Sequence, residues 1–156
     1  METEINKLRR LNIIAGFLHL LSLAGILLLS NDAALPVNAI YLTEAPGTGQ
    51  FSDPINLLNL NIGYMVAAFM ALSAFFHFLV ASPQFFDRYQ SGLAQSRNYF
   101  RWVEYSISSS VMIVLIAQIV GVSDVAAIIA IFGVNASMIL FGWLQEKYET
   151  PGNGGW

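Results

Sequence analysis

The sequence predicts an all-α membrane protein with four transmembrane helices and a β-hairpin loop between the first and second. Three observations carry this. Hydrophobic residues make up 56% of the 156-residue chain and charged residues only 11%, against about 25% charged in an average globular protein. Mean hydropathy is +0.59. Four stretches are each long and apolar enough to cross a bilayer, which takes roughly 20 residues. The cations are confined to one side of the resulting topology, as the composition of short cytoplasmic loops requires.

The helices are expected at about 8–30, 55–81, 98–120 and 124–147, within a single transmembrane domain 1–156. The first is too long for the apolar region of a cleavable signal peptide, and no small-x-small site follows it cleanly. Asn31-Asp32 ends it. The loop 31–54 has strand-forming types in Val37–Leu42, turn chemistry in Ala45-Pro46-Gly47-Thr48-Gly49, and a possible return in Gln50–Ser52. It reads as a hairpin whose edge would pair with a second copy; the other reading is a disordered polar loop. Residues 82–98 read as a polar loop containing Pro83, Arg88 and Gly92. A tight turn at Gly121–Asp124 joins the last two helices, with Ser123 or Asp124 as cap. The tail from Glu149 to Trp156 breaks the helix.

With four crossings, Lys7, Arg9, Arg10, Arg88, Arg97, Arg101 and Lys147 all fall on one side. The opposite side carries Asp32, Glu44, Asp53 and Asp124 and no cation. Both termini are therefore expected in the cytoplasm, with the hairpin outside, in a multi-pass protein of the cell membrane.

Composition also excludes functions. No basic stripe with interleaved aromatics is present, so no nucleic-acid partner is expected. Without cysteine, and with two histidines, neither thiolate chemistry nor a histidine-rich metal site is expected. No phosphate loop, nucleophile elbow or zinc-protease motif occurs, so the chain does not read as an enzyme.

Few polar residues lie at membrane depth, and each is a functional candidate because burying it costs free energy. Glu104 sits roughly 8–10 Å into its helix at 1.5 Å per residue. One reading pairs it locally with Arg101. The other turns it, with Ser106, Ser108, Ser109 and Ser110, toward a cavity. His19 and His77 occupy the same half of the bundle by residue count. Either each is a packing residue, or with Glu104 they line a hydrated pocket, joined by Asn12, Ser22 and Ser73. Asn135, Met138, Ile139 and Gly142 form one stripe at helical spacing, which suits a helix–helix contact or the wall of a ligand pocket equally. Gln118 reads as interfacial.

Several runs resemble a known family. Arg101-Trp102-Val103-Glu104-Tyr105-Ser106-Ile107-Ser108-Ser109-Ser110 and its continuation to Gln118 resemble the third helix of the heliorhodopsins. Ile131–Tyr148, containing Gly133-Val134-Asn135-Ala136-Ser137-Met138, resembles their fourth. Gly16–Leu21 and Ala74–Phe78 resemble the first two. The resemblance implies the first four helices of a seven-helix, rhodopsin-like photoreceptor that binds all-trans retinal as a protonated Schiff base on a seventh-helix lysine. It implies Glu104 as counterion, a polar cavity on the Schiff-base side at His19, His77, Ser73 and Tyr105, and a retinal pocket at Ser108, Met112, Asn135, Met138, Ile139 and Gly142. It also implies a homodimer through the 31–54 hairpin. A buried cationic Schiff base needs an opposite charge nearby, which suits a single carboxylate beside two imidazoles.

The sequence departs from the family by ending with its fourth helix, and its two lysines, Lys7 and Lys147, lie at helix ends. The chain is thus expected to be an amino-terminal half, needing a complementary three-helix half for the covalent pigment. Two other readings compete. One is a four-helix structural or interaction subunit without chromophore. The other is a proton-conducting bundle, disfavoured because the far half lacks a chain of ionisable groups.

Overall fold

A computed structural model describes residues 2–149. Among these, helices α1 (Glu2–Leu29), α2 (Ile62–Ala81), α4 (Tyr99–Ile119) and α5 (Val125–Tyr148) are long and apolar enough to cross a membrane. A hairpin of β1 (Ala34–Ala39) and β2 (Ile55–Asn61) precedes α2, and a nine-residue helix, α3 (Phe86–Ala94), lies between α2 and α4. The helix-breaking tail lies outside the described residues beyond Glu149, which is extended and ends α5.

The long helices pack in chain order. α1 lies on α2, α2 on α4, and α4 on α5, while α1 and α5 do not pack on each other. The four therefore form an open row. The apolar stretches of α1 and α5 bury the least of their surface, and those of α2 and α4 the most. In lipid, such exposed apolar faces need no cover, because acyl chains are as apolar as leucine. Close approach comes from small residues. A Cβ on Gly16 would lie 2.8 Å from the Phe78 ring, and one on Gly142 would lie 2.5 Å from the Trp102 ring.

The second membrane helix differs from expectation. It begins at Ile62 rather than near residue 55, because Ile55–Asn61 is the return strand of the hairpin. The apolar content of Ile55, Leu57, Leu58 and Leu60 resembles a helix start. The interleaved Asn56, Asn59 and Asn61 favour strand and cap, since asparagine competes with the helix backbone for hydrogen bonds. Asn61 then caps α2, its side-chain oxygen accepting from the Tyr64 N–H at 3.0 Å. The hairpin is therefore longer than the loop that was expected to contain it. Its ladder runs antiparallel from Ala34 opposite Asn61 to Ala39 opposite Ile55. Gln50–Ser52 pairs only at the tip, where Leu42 bridges Phe51.

The hairpin is stapled to the turn between α4 and α5. The Asn38 N–H donates to the Ser123 carbonyl at 2.8 Å, and its side-chain amide donates to the Ser123 hydroxyl at 3.2 Å. Asp124, not Ser123, caps α5 by accepting from the Ala127 N–H at 3.0 Å. Val37 is buried with Val114 and Ile128, beneath Leu60, Met65 and Val122. Gln118, at the last turn of α4, is buried at 4% exposure and its amide reaches the Pro36 carbonyl of the hairpin.

The cation-bearing ends also converge. The Arg9 guanidinium donates to the Ala81 carbonyl at 2.8 Å and lies over the Phe86 ring. Arg101 pairs with Glu146 at 2.9 Å, and Arg97 reaches the Lys147 carbonyl.

Candidate functional site

Between α1, α2 and α4, toward the cation-rich end, lies a cleft of about 350 Å³. α1 contributes Asn12 and His19, one on each side of two helical turns. α2 contributes Ser73 and His77, four residues apart and so on one face. α4 contributes Glu104 and Tyr105. Five residues expected around one polar site, His19, Ser73, His77, Glu104 and Tyr105, thus meet at a single cleft.

Its polar contacts are specific. The two imidazoles stack with centroids 5.3 Å apart and planes 15° from parallel. The His77 Nδ1 lies 3.0 Å from the side-chain oxygen of Asn12, so that nitrogen carries the proton and donates, since an amide oxygen only accepts. Asn12 is itself buried at 8% exposure and donates to the Leu8 carbonyl. Ser73 lines the same cleft as Glu104. Ser22 does not join them; it is exposed and lies outside the cleft's lining.

Glu104 has no ion-pair partner among the described residues. Arg101, one turn away, lines the same cleft, but its guanidinium is engaged by Glu146. The local Glu104–Arg101 pair, open as a reading of the sequence, does not form. Glu146 is also held by the Asn98 N–H at 2.8 Å. Glu104 is thus partly buried at the cleft and forms no ion pair among the described residues.

The serines below Glu104 have a different use. Ser106 and Ser110 are buried, and their hydroxyls donate to the carbonyls of Val103 and Ser106; Ser109 donates to Tyr105. This back-bonding frees the hydroxyl oxygens to accept. Asn135 of α5 donates to Ser109 at 2.8 Å and to Ser110 at 3.1 Å. The α5 stripe therefore divides. Asn135 and Gly142 meet α4, while Met138 is 60% exposed in a shallow apolar groove with Gly133, Val134 and Phe141. Ser108 is buried at 2% exposure on α4, and Met112 and Ile139 are half-buried. None of these six lines the polar cleft.

Sequence reasoning missed the aromatic wall of the cleft, formed by Phe69, Phe76, Tyr89 and Phe100. Tyr89 comes from α3, a helix within the stretch 82–98 whose composition reads as loop. Its signal was the Phe86, Tyr89, Leu93 spacing, an apolar helix face obscured by Pro83 and Gly92.

The sequence model of the heliorhodopsins matches residues 8–156. The chain belongs to the heliorhodopsin family. This is a family of rhodopsin-like retinal photoreceptors embedded in membranes. No curated protein sequence matches the chain. The unpaired Glu104 carboxylate suits the charged end of lysine-linked retinal, and the apolar groove at Met138 suits a polyene. No lysine lies at membrane depth in the four long helices, so the attachment point is not among them.

Proposed function

We propose that this chain supplies the counterion half of a light-sensing retinal site. One observation supports the reading most: Glu104 faces a cleft it shares with His19, His77 and Ser73 and has no cation partner among the described residues. Retinal bound through a lysine supplies light absorption and isomerisation. Glu104 holds the positive charge at the linkage nitrogen. His19, His77 and Asn12 form a hydrogen-bonding group beside it that can accept or relay a proton. Ser73 orients the carboxylate, and Tyr105 borders the open side. Ser108, Met112, Met138 and Ile139 flank the polyene, while Asn135 and Gly142 set the α4–α5 spacing that shapes its channel.

The lysine comes from a complementary helical segment, on the same polypeptide or another, that closes the open row between α1 and α5. Both termini lie in the cytoplasm, and the hairpin faces outward. A second copy pairs through the hairpin, whose Leu57 and Leu58 are about half exposed on β2.

The test is an absorption spectrum with all-trans retinal, for this chain alone and co-expressed with a lysine-bearing three-helix heliorhodopsin half. A red-shifted band should appear only in the mixture. Glu104→Gln should move that band further to the red while the linkage stays protonated, because positive charge then spreads along the polyene. A band insensitive to Glu104→Gln would overturn the assignment. Without any band, and with both pieces inserted, a structural subunit becomes the better reading.

A further inference from the structure

A second cavity, of about 390 Å³, lies on the opposite side of the α2–α4 wall from α1, between α2, α3, α4 and α5. Its floor is apolar, built from Phe76, Leu79, Val103 and Trp143. Two cations, Arg88 of α3 and Arg97 of the α3–α4 turn, stand at the same groove. No acidic residue lines it. Asp87 precedes Arg88 and Glu146 is engaged by Arg101, and neither forms an ion pair with Arg88 or Arg97 among the described residues. Arg97 spends one N–H on the Lys147 carbonyl at 3.4 Å, which leaves most of its five donors free. Trp143 adds a buried indole N–H with no partner among the described residues.

Depth decides what such a groove fits. α2 ends at Ala81 and α4 begins at Tyr99, so Leu79 and Val103 lie just inside the membrane and both arginines at its surface. An apolar floor topped by two cations at the helix ends matches one molecule end to end. We propose that this groove binds an anionic phospholipid. One acyl chain lies against Phe76, Leu79 and Val103, and the phosphate sits at Arg88 and Arg97. Basic pockets between membrane helices attract anionic headgroups for the same reasons. A free phosphate would use the arginines but not the apolar floor.

The site has a consequence for the polar cleft. Phe76, Tyr89 and Phe100 line both cavities, so a bound lipid braces the wall behind Glu104. α3, which carries Arg88 and Tyr89, touches the membrane helices mainly through α2 and would be fixed by the headgroup.

Native mass spectrometry of the purified full chain, with equimolar phosphatidylglycerol and phosphatidylcholine, tests the proposal without retinal. The expected result is a preferential phosphatidylglycerol adduct. The Arg88→Gln/Arg97→Gln double variant should weaken it by roughly thirtyfold, the effect of removing two interfacial cations. Leu79→Trp, which fills the floor and keeps both arginines, should also lose the adduct. Unchanged far-ultraviolet circular dichroism would confirm that both variants fold. Equal adducts of the two lipids, retention by Leu79→Trp, or displacement by inorganic phosphate would each overturn it.

Discussion

Glu104 illustrates how a single side chain acquires its surroundings by exclusion. Its nearest cation in sequence is Arg101, and on an isolated helix the two would pair across one turn. Glu146, from the far end of α5, takes Arg101 instead at 2.9 Å. The carboxylate is left in a cleft with Ser73 and the stacked imidazoles of His19 and His77. Gly142 shows the same dependence on a distant partner. Its hydrogen faces the Trp102 ring, and the Arg101 guanidinium lies 4.6 Å from that ring's centroid. A methyl there would lie 2.5 Å from the ring, so Trp102 must shift to admit it. Gly142→Ala should therefore destabilise the protein by about 1–3 kcal/mol, the usual cost of overpacking, read as a lowered midpoint of thermal unfolding in detergent. An unchanged midpoint would mean that Trp102 moves aside freely.

Among the elements, the hairpin and α3 were the least legible. Alternating asparagines in Ile55–Asn61 permit a strand, yet the apolar residues between them continue smoothly into α2. What selects the strand is a pairing partner sixteen to twenty-seven residues earlier, Ala34–Ala39. The ladder is anchored by Val37, at 5% exposure, and by Asn38 on Ser123. Val37→Ala removes two methyl groups from the Val114–Ile128 cluster and should cost about 1–3 kcal/mol. The loss should be local, so amide hydrogen exchange at 55–61 should accelerate while that of α4 stays slow. Equal acceleration in both would show that the hairpin and the helices open as one unit. The aromatic residues of α3 have the spacing of a helix, but a nine-residue helix gains its stability from packing rather than propensity. That packing, Phe85 and Tyr89 each edge-on to Phe100, is invisible in sequence.

At the scale of the molecule, the segregation of charge is the strongest organising feature. Seven cations gather at one end of the helix row, and the opposite end carries only acids. Because the chain lacks cysteine, its orientation can be read directly. Arg10→Cys should resist a membrane-impermeant maleimide added to intact cells, whereas Thr48→Cys should be labelled; the reverse pattern would invert the proposed topology. An open row with a polar cleft and an exposed strand should also associate, since polar faces in lipid seek a partner. Sedimentation in detergent should give a dimer or larger species, and a stable monomer would count against pairing through the hairpin.

The sequence alone determined the membrane class, the number of spans, the family and the set of polar residues worth attention. These follow from composition, segment length and local runs such as Trp102–Ser110, all of which act over short stretches of chain. Tertiary structure decided the rest. It took Ile55–Asn61 from helix to strand, engaged Asn135 with Ser109 and Ser110, buried Gln118, and separated Glu104 from Arg101. Each outcome depends on which of several chemically acceptable partners lies within about 3 Å. That is set by how α1, α2, α4 and α5 pack, and local sequence carries no record of it.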